Sequence, residues 1–310
     1  MLYWANMKLV APIAAAILLA GGALGLYVAT TGAAPPAAPA SAVESSPLWD
    51  GAETIAQYAR RRDLPATQTV TLAQAPNKVV MNFVLIPAGE FIMGSPVDER
   101  ERLPSETQHR VRITKPFLMQ TTPVTQAQWK ALMPTSPARF QGDTLPVDSV
   151  TWLQAVKFCD TLSNRDSAAY RLPTEAEWEF ACRAGTTTAF SFGNSINPAD
   201  ANYNGNVPYG NSTSALFRVQ TTPVETFNPN PWGLYDMHGN VWQWCGDWYG
   251  EYPDGDAINP AGPAQGSVRV VRGGSWADVP CFLRSACRET TPPDKSVIHI
   301  GFRVVLQLGR

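Results

Sequence analysis

Five cysteines, three histidines and a few serines are the side chains here whose types could carry chemistry. The cysteines are Cys159, Cys182, Cys245, Cys281 and Cys287. None forms a CxxC pair, which argues against a zinc knuckle. An odd count at irregular spacing is not a disulfide framework either, and at least one thiol is left over even if one or two bridges form. His109, His238 and His299 show neither HxH nor HExxH spacing, so no metal helix is indicated. Ser105 and Ser275 are nucleophile types without the His/Asp order of a triad. An aromatic run, Trp242, Trp244, Trp248, Tyr249 and Tyr252, is suited to lining a sugar or peptide groove, although half or more of these rings are expected in the core.

The elements that must position these residues follow from composition and pattern. Only 16% of the 310 residues are charged, while 27 prolines, 23 glycines and 10 tryptophans point to a loop-rich domain anchored by large aromatics. A net charge of -2 gives no basic footprint, so nucleic acid is not an expected partner. Arg60 to Arg62 read as a solvated helix end, and Glu99 to Arg102 as a solvated loop. Residues 9–29 form an uncharged apolar run preceded by Lys8, long enough to cross a bilayer, so residues 1–30 are expected to be a signal anchor or transmembrane helix. A cleavable signal peptide is the other reading, with small residues near Ala33 and Ala40. Both readings place the main domain outside the cytoplasm, in a periplasmic or extracellular space, and the first makes residues 9–29 the contact with the membrane.

Residues 31–76 read as an Ala/Pro-rich linker with a short helix over Trp49–Asp63, and residues 77–310 as the folded domain. Within it, Asn77–Met93 predicts two strands around Pro87-Ala88-Gly89, and Val111–Met119 another strand. Helices are predicted over Thr125–Met133, Ser149–Asn164 and Thr174–Arg183, the last opening on a capping box of Thr174 with Glu177. Beyond Gly185, loops and short strands dominate, with Val268–Val271 and Phe302–Leu306 the clearest strands. Patterning alone gives only an α+β class.

Six collinear segments sharpen that reading. They are Ile86 to Gly94 (IPAGEFIMG), Pro123-Val124-Thr125 with Trp129, Pro146-Val147 leading to Val150-Thr151-Trp152, Arg171 to Glu179 (RLPTEAEWE), Gly233 to Trp242 (GLYDMHGNVW), and Arg272-Gly273-Gly274-Ser275-Trp276 with Gly301-Phe302-Arg303. Together they resemble the formylglycine-generating enzyme, or sulfatase-modifying factor, family. The resemblance implies a loop-rich C-type-lectin-like α+β fold, preceded here by the transmembrane or signal helix.

Active members carry a copper-binding cysteine pair after Gly-Gly-Ser. The matching positions here are Asp278 and Leu283, and copper(I) needs soft ligands. The resemblance therefore implies a membrane-anchored binding or scaffold protein that is not a catalyst. Its partner, a protein or small ligand, would meet the surface 276–299 through Trp276, Asp278, Phe282, Arg284 and His299. Relatives of this fold serve as display proteins whose corresponding segment is diversified. The alternative is a copper-dependent oxidoreductase acting on a protein cysteine through Cys281, Cys287 and Ser275. The family's disulfides look incomplete: Cys182 has Cys287 or Cys281 as possible partners, and buried reduced cysteines are the other reading. The family also implies structural calcium, here at Asn202, Asn240 and Gln243, with Gln243 replacing the usual glutamate.

Overall fold

Each of the four α-helices among the described residues opens on a threonine. They are α1 (Ile55–Arg61), α2 (Gln126–Leu132), α3 (Trp152–Asp166) and α4 (Glu175–Arg183). Thr54, Thr125, Thr151 and Thr174 cap them, each paired with a Gln or Glu three residues on in a reciprocal capping box. A cap of this kind contributes about 1 kcal/mol, which matters for helices of seven to nine residues that cannot stand alone. All nine residues of α4 are buried, including Glu175, Glu177, Glu179 and Arg183, so this helix brings charge into the interior.

The computed structural model describes residues 48–74, 76–212 and 216–309. The expected anchor over 1–30 and most of the Ala/Pro-rich stretch lie outside these residues. Among the described residues, no helix is long and apolar enough to cross a membrane.

Strands β1 (Thr67–Ala73), β2 (Val79–Ile86), β5 (Phe117–Gln120), β12 (Val305–Gln307) and β6 (Tyr170–Arg171) form an antiparallel sheet in that spatial order. A second sheet runs β10 (Arg288–Thr291), β9 (Arg269–Arg272), β7 (Trp242–Trp248), β11 (Ile300–Gly301). A third joins β3 (Gly89–Met93), β4 (His109–Ile113) and β8 (Ala257–Ile258). Chain neighbours β2 and β3 thus belong to different sheets, with the switch at Pro87-Ala88. Two core clusters fill the space between sheets and helices, around Trp129, Phe158 and Phe302 and around Trp178, Phe180 and Met119. A smaller third cluster holds Phe190, Tyr203, Tyr209 and Leu283.

The folded unit begins before Asn77, which corrects the expected linker. Strand β1 pairs with β2, and the Trp49 amide donates to the Ala88 carbonyl at 2.7 Å. Tyr58 of α1 is buried and its hydroxyl accepts from the Ala88 amide at 3.2 Å. The helical pattern over Trp49–Asp63 is therefore a shorter helix clamping the corner between two sheets. The strand expected over Val111–Met119 is two strands, β4 and β5, split at Thr114–Pro116 because Pro116 cannot donate to a ladder.

Candidate functional site

The Arg-Gly-Gly-Ser-Trp segment leaves β9 through a turn that only glycine can make. Gly273 and Gly274 have φ of +97 and +72, and a Cβ on Gly274 would lie 2.7 Å from Leu283 Cδ1. Arg272, fully buried, fastens the turn from below: it donates to the carbonyls of Ala286 (2.8 Å) and Cys287 and to the Glu179 carboxylate. Beyond the turn, Asp278 Oδ2 accepts from the Ser275 hydroxyl and from Trp242 Nε1 at 2.8 Å. Trp276 is buried between Phe140, edge-on at 5.5 Å, and Phe217, stacked at 6.3 Å. Leu283 is fully buried in the third cluster. The two positions expected for thiols therefore hold one engaged carboxylate and one core leucine.

Of the residues assigned to a ligand surface, the structure withdraws Arg284. It is fully buried, donating to both Glu106 carboxylate oxygens at 2.7 Å and to Glu99 at 2.6 Å. The same pairing corrects the solvated reading of Glu99–Arg102 at Glu99, whose side chain is nearly inaccessible, while Arg100 and Glu101 are exposed as expected. Phe282 and His299 are half-buried; Phe282 packs on the third cluster, and the His299 carbonyl accepts from the Trp242 amide at 2.9 Å. Asp278 is half-buried and Trp276 buried, so the segment presents edges of side chains rather than a row of free ones.

All five cysteines are free thiols, so neither Cys281 nor Cys287 is bridged to Cys182. Cys182 Sγ instead lies 3.7 Å from the Ser285 hydroxyl and 3.6 Å from His238 Nε2. Cys287 is fully buried in the first core cluster, and burial raises its thiol far above the ordinary value. Cys281 packs at the edge of the third cluster, and burial, together with Glu101, pushes its thiol up to about 11. One thiol packed in the first cluster and the other at the edge of the third are not presented as a pair, as a two-thiolate copper(I) site requires. Among the described residues, no group of three or more His, Cys, Asp or Glu is placed to hold a metal ion.

The three residues expected at calcium are fully buried, but their oxygens are not gathered for a cation. Gln243 Oε1 accepts from Trp178 Nε1 at 2.8 Å and from Arg303 Nε at 2.6 Å, which places a guanidinium where a cation would sit. Asn240 Oδ1 accepts from the Thr222 amide (3.0 Å) and the Asn202 amide group (3.3 Å). Only Asn202 keeps a buried amide oxygen without a partner.

Sequence reasoning missed a cavity of about 380 Å³ at the end of β7. Its walls include Met93, His109, Trp248, Tyr252, Pro260 and Pro263, with Glu175, Asp247 and Arg288 as its charged floor. The pairing of β7 with β9 slips here: Trp244 faces Val271 and Trp248 faces Arg269, so four residues on β7 (248 − 244) pass against two on β9 (271 − 269). Such a bulge re-aims side chains, and Asp247 lies within it. Asp247 Oδ2 accepts from the Glu175 amide at 2.9 Å. Burial, followed by the neighbouring Glu175 charge, lifts its carboxyl to about 7. The one signal in the sequence was an acidic residue inside a Trp-rich strand that carries no other charge. Of the aromatic run, Trp242 and Trp244 are core while Trp248 and Tyr252 line this cavity.

The three-sheet fold, the capped α4 and the glycine turn fixed by Arg272 define a formylglycine-generating-enzyme-like domain. The model of the sulfatase-modifying factor enzyme 1-like domain matches residues 68–308, and the chain belongs to that family. It is 33% identical over 259 residues to serine/threonine-protein kinase pkn1 of Chlamydia pneumoniae, covering 74% of this chain and 38% of that protein. It is 36% identical over 190 residues to the formylglycine-generating enzyme of Mus musculus, covering 58% of this chain and 49% of that one. The chain thus spans less than half the length of these two relatives. Among solved structures, Treponema denticola variable protein 1 superposes with a TM-score of 0.67 at 27% identity, covering 79% of this chain and 100% of that chain.

Proposed function

We propose that this protein uses a non-catalytic formylglycine-generating-enzyme-like domain as a binding or scaffold module, held at a membrane by residues 9–29 with the domain outside the cytoplasm. The observation that carries the reading is the state of Asp278 and Leu283. Where the family resemblance calls for two thiols, one side chain is engaged by Ser275 and Trp242 and the other is buried. Function resides in such sites rather than in the fold.

The partner surface of this proposal lies beside Trp276. Phe217, stacked on Trp276, is flanked by Leu216 and Val219, which are 56% and 59% exposed. Val219 has a φ of +58, a conformation unfavourable for a β-branched residue. Arg218 between them is turned to the Pro198 carbonyl and the Phe227 ring, and exposed apolar side chains on a strained loop beside an aromatic sandwich are the kind of surface that a partner covers. The 21 uncharged residues 9–29 after Lys8 support the anchor, and the likeness to a protein named as variable supports a display-type role.

Photo-crosslinking in the source cells tests this. A photoreactive residue at position 216 or 219 is expected to give discrete adducts, and one at the exposed Ile258 of β8 is not. Equal labelling at all three positions, or none at 216 and 219, contradicts the proposal.

A further inference from the structure

The cavity at the end of β7 shares one residue, Arg288, with the 276–299 segment, and its lining chemistry is specific. His109 is only 7% exposed. Its Nδ1 lies 3.1 Å from the Thr107 carbonyl, so that nitrogen carries the proton and donates. Nε2 is then a lone-pair acceptor, and it is buried with no partner. A buried acceptor left unpaired is costly to the fold, and a ligand donor would recover that cost. The His109 ring is held 4.6 Å from the Tyr252 ring, so its direction is fixed.

Charge decides what kind of donor fits. The lining holds three carboxylates, Glu175, Asp247 and Glu251, against one guanidinium, Arg288. Arg288 is already engaged: it grips both Glu175 oxygens at 2.8 and 2.6 Å and lies over the Tyr252 ring at 3.9 Å. Arg269 on β9 is sandwiched between Trp152 and Trp248 at 3.7 and 3.4 Å. Glu177 faces Asp247 from α4 but is bound to Arg171, at 2.6 and 2.7 Å. Cys245, on the same strand as Asp247, is a buried neutral thiol. Glu251 is exposed, so of the two buried carboxylates in the lining Asp247 is the one without an arginine hydrogen-bonded to it. The remaining walls, from Met93, Pro260, Pro263 and the faces of Trp248 and Tyr252, are apolar or aromatic and favour an apolar body with a cationic head.

We propose that this cavity binds a small primary amine with an apolar body, its ammonium group donating to His109 Nε2 and Asp247 while the body packs against Trp248 and Tyr252. Gly262 is built into the site. Its φ is +70, and a Cβ there would meet the Trp248 carbonyl at 2.6 Å and Asp247 Cβ at 3.0 Å, so the Pro260–Pro263 segment closes tightly on Asp247. The ammonium favours ionised Asp247, which couples binding to pH.

Calorimetric titration of the full chain with 2-phenylethylamine tests the proposal, with 2-phenylethanol as the neutral probe. Because the Asp247 carboxyl sits at about 7, the competent ionised form rises about tenfold between pH 6 and pH 8. The amine affinity is expected to rise by about that factor, and the alcohol is expected to bind at least tenfold more weakly at pH 8. Asp247→Asn keeps the acceptor for the Glu175 amide; it is expected to remove the pH dependence and weaken amine binding at pH 8. His109→Phe keeps the ring against Tyr252 and removes the acceptor, and is expected to weaken binding at both pH values. Failure of the amine to bind the wild type, equal binding of the alcohol, an affinity flat with pH, or amine binding unaltered in both folded variants overturns it.

Discussion

Replacing Glu179 with glutamine should destabilise the domain more than any surface charge change. Glu179 is fully buried on α4, and its Oε1 accepts from Arg183 Nε at 2.8 Å and from the Gly94 amide at 2.9 Å. Its Oε2 accepts from Arg272, the arginine beneath the glycine turn. One carboxylate thus ties together α4, the end of β3 and β9. Burial pushes this carboxyl up, but Arg183 and Arg272 more than reverse that, and it titrates below its ordinary 4.5. Glu179→Gln leaves two guanidiniums in the interior with one fewer negative charge. Breaking a buried pair in this way costs about 3–5 kcal/mol, a large part of a typical 5–15 kcal/mol total. At about 2–4 °C per kcal/mol, Tm should fall by roughly 6–20 °C. The assay is thermal unfolding followed by circular dichroism, with Asp143→Asn as the comparison. That variant breaks the exposed Lys130–Asp143 pair at 2.9 Å, which is expected to cost under about 1 kcal/mol. If Glu179→Gln lowers Tm no more than Asp143→Asn does, the reasoning about the buried network is wrong.

Two further predictions concern pH. Asp247 titrates at about 7 in the fold against 3.8 unfolded, so the folded state binds its proton more tightly and stability is lost as pH rises through that window. The upper bound is ~4 kcal/mol; the new amide protons of Asp247→Asn need acceptors, so a net gain of about 1–2 kcal/mol over wild type at pH 8 and none at pH 4 is expected in urea unfolding. His238 runs the opposite way. Burial lowers it to about 4, with Nδ1 donating to the Leu283 carbonyl at 2.7 Å and Nε2 accepting from the Ser191 amide at 3.0 Å. Its neutral form is the native one, so stability is lost as pH falls from about 6.5 toward 4, and His238→Gln should flatten that limb of the profile.

The starts of α2 and α4 were legible because the signal is local: threonine with Gln or Glu three residues on fixes the first turn, whereas α1 and α3 open on the same pattern at Thr54 and Thr151, inside the longer expected stretches from Trp49 and Ser149. The turn at Pro87-Ala88-Gly89 was legible for the same reason. What the strand patterns could not show was which sheet each strand joins, so β2 and β3 read as a simple pair. Strand β7 was hidden because Trp, Gln, Cys and Asp alternate without a polar face; it is buried on both sides for most of its length.

The site was less legible because its contacts are long-range. Arg284 reads as a surface cation until Glu106, 178 positions away, is brought to it. Gln243 reads as a weakened calcium ligand until Arg303, 60 positions on, takes its oxygen. The β7 cavity draws on His109, Glu175, Asp247 and Arg288, which no local spacing connects. The thiol positions were the exception. A fixed count from Ser275 placed Asp278 and Leu283 there, and the fold shows both engaged within the domain.

The most direct test of the account is copper(I) titration of the purified protein under anaerobic conditions, run beside a Cys281→Ala, Cys287→Ala double variant. The account predicts no tight binding attributable to these two thiols, with wild type and variant giving the same curve. Tight stoichiometric binding that disappears in the double variant would contradict it, and would return the protein to thiol-based oxidation chemistry.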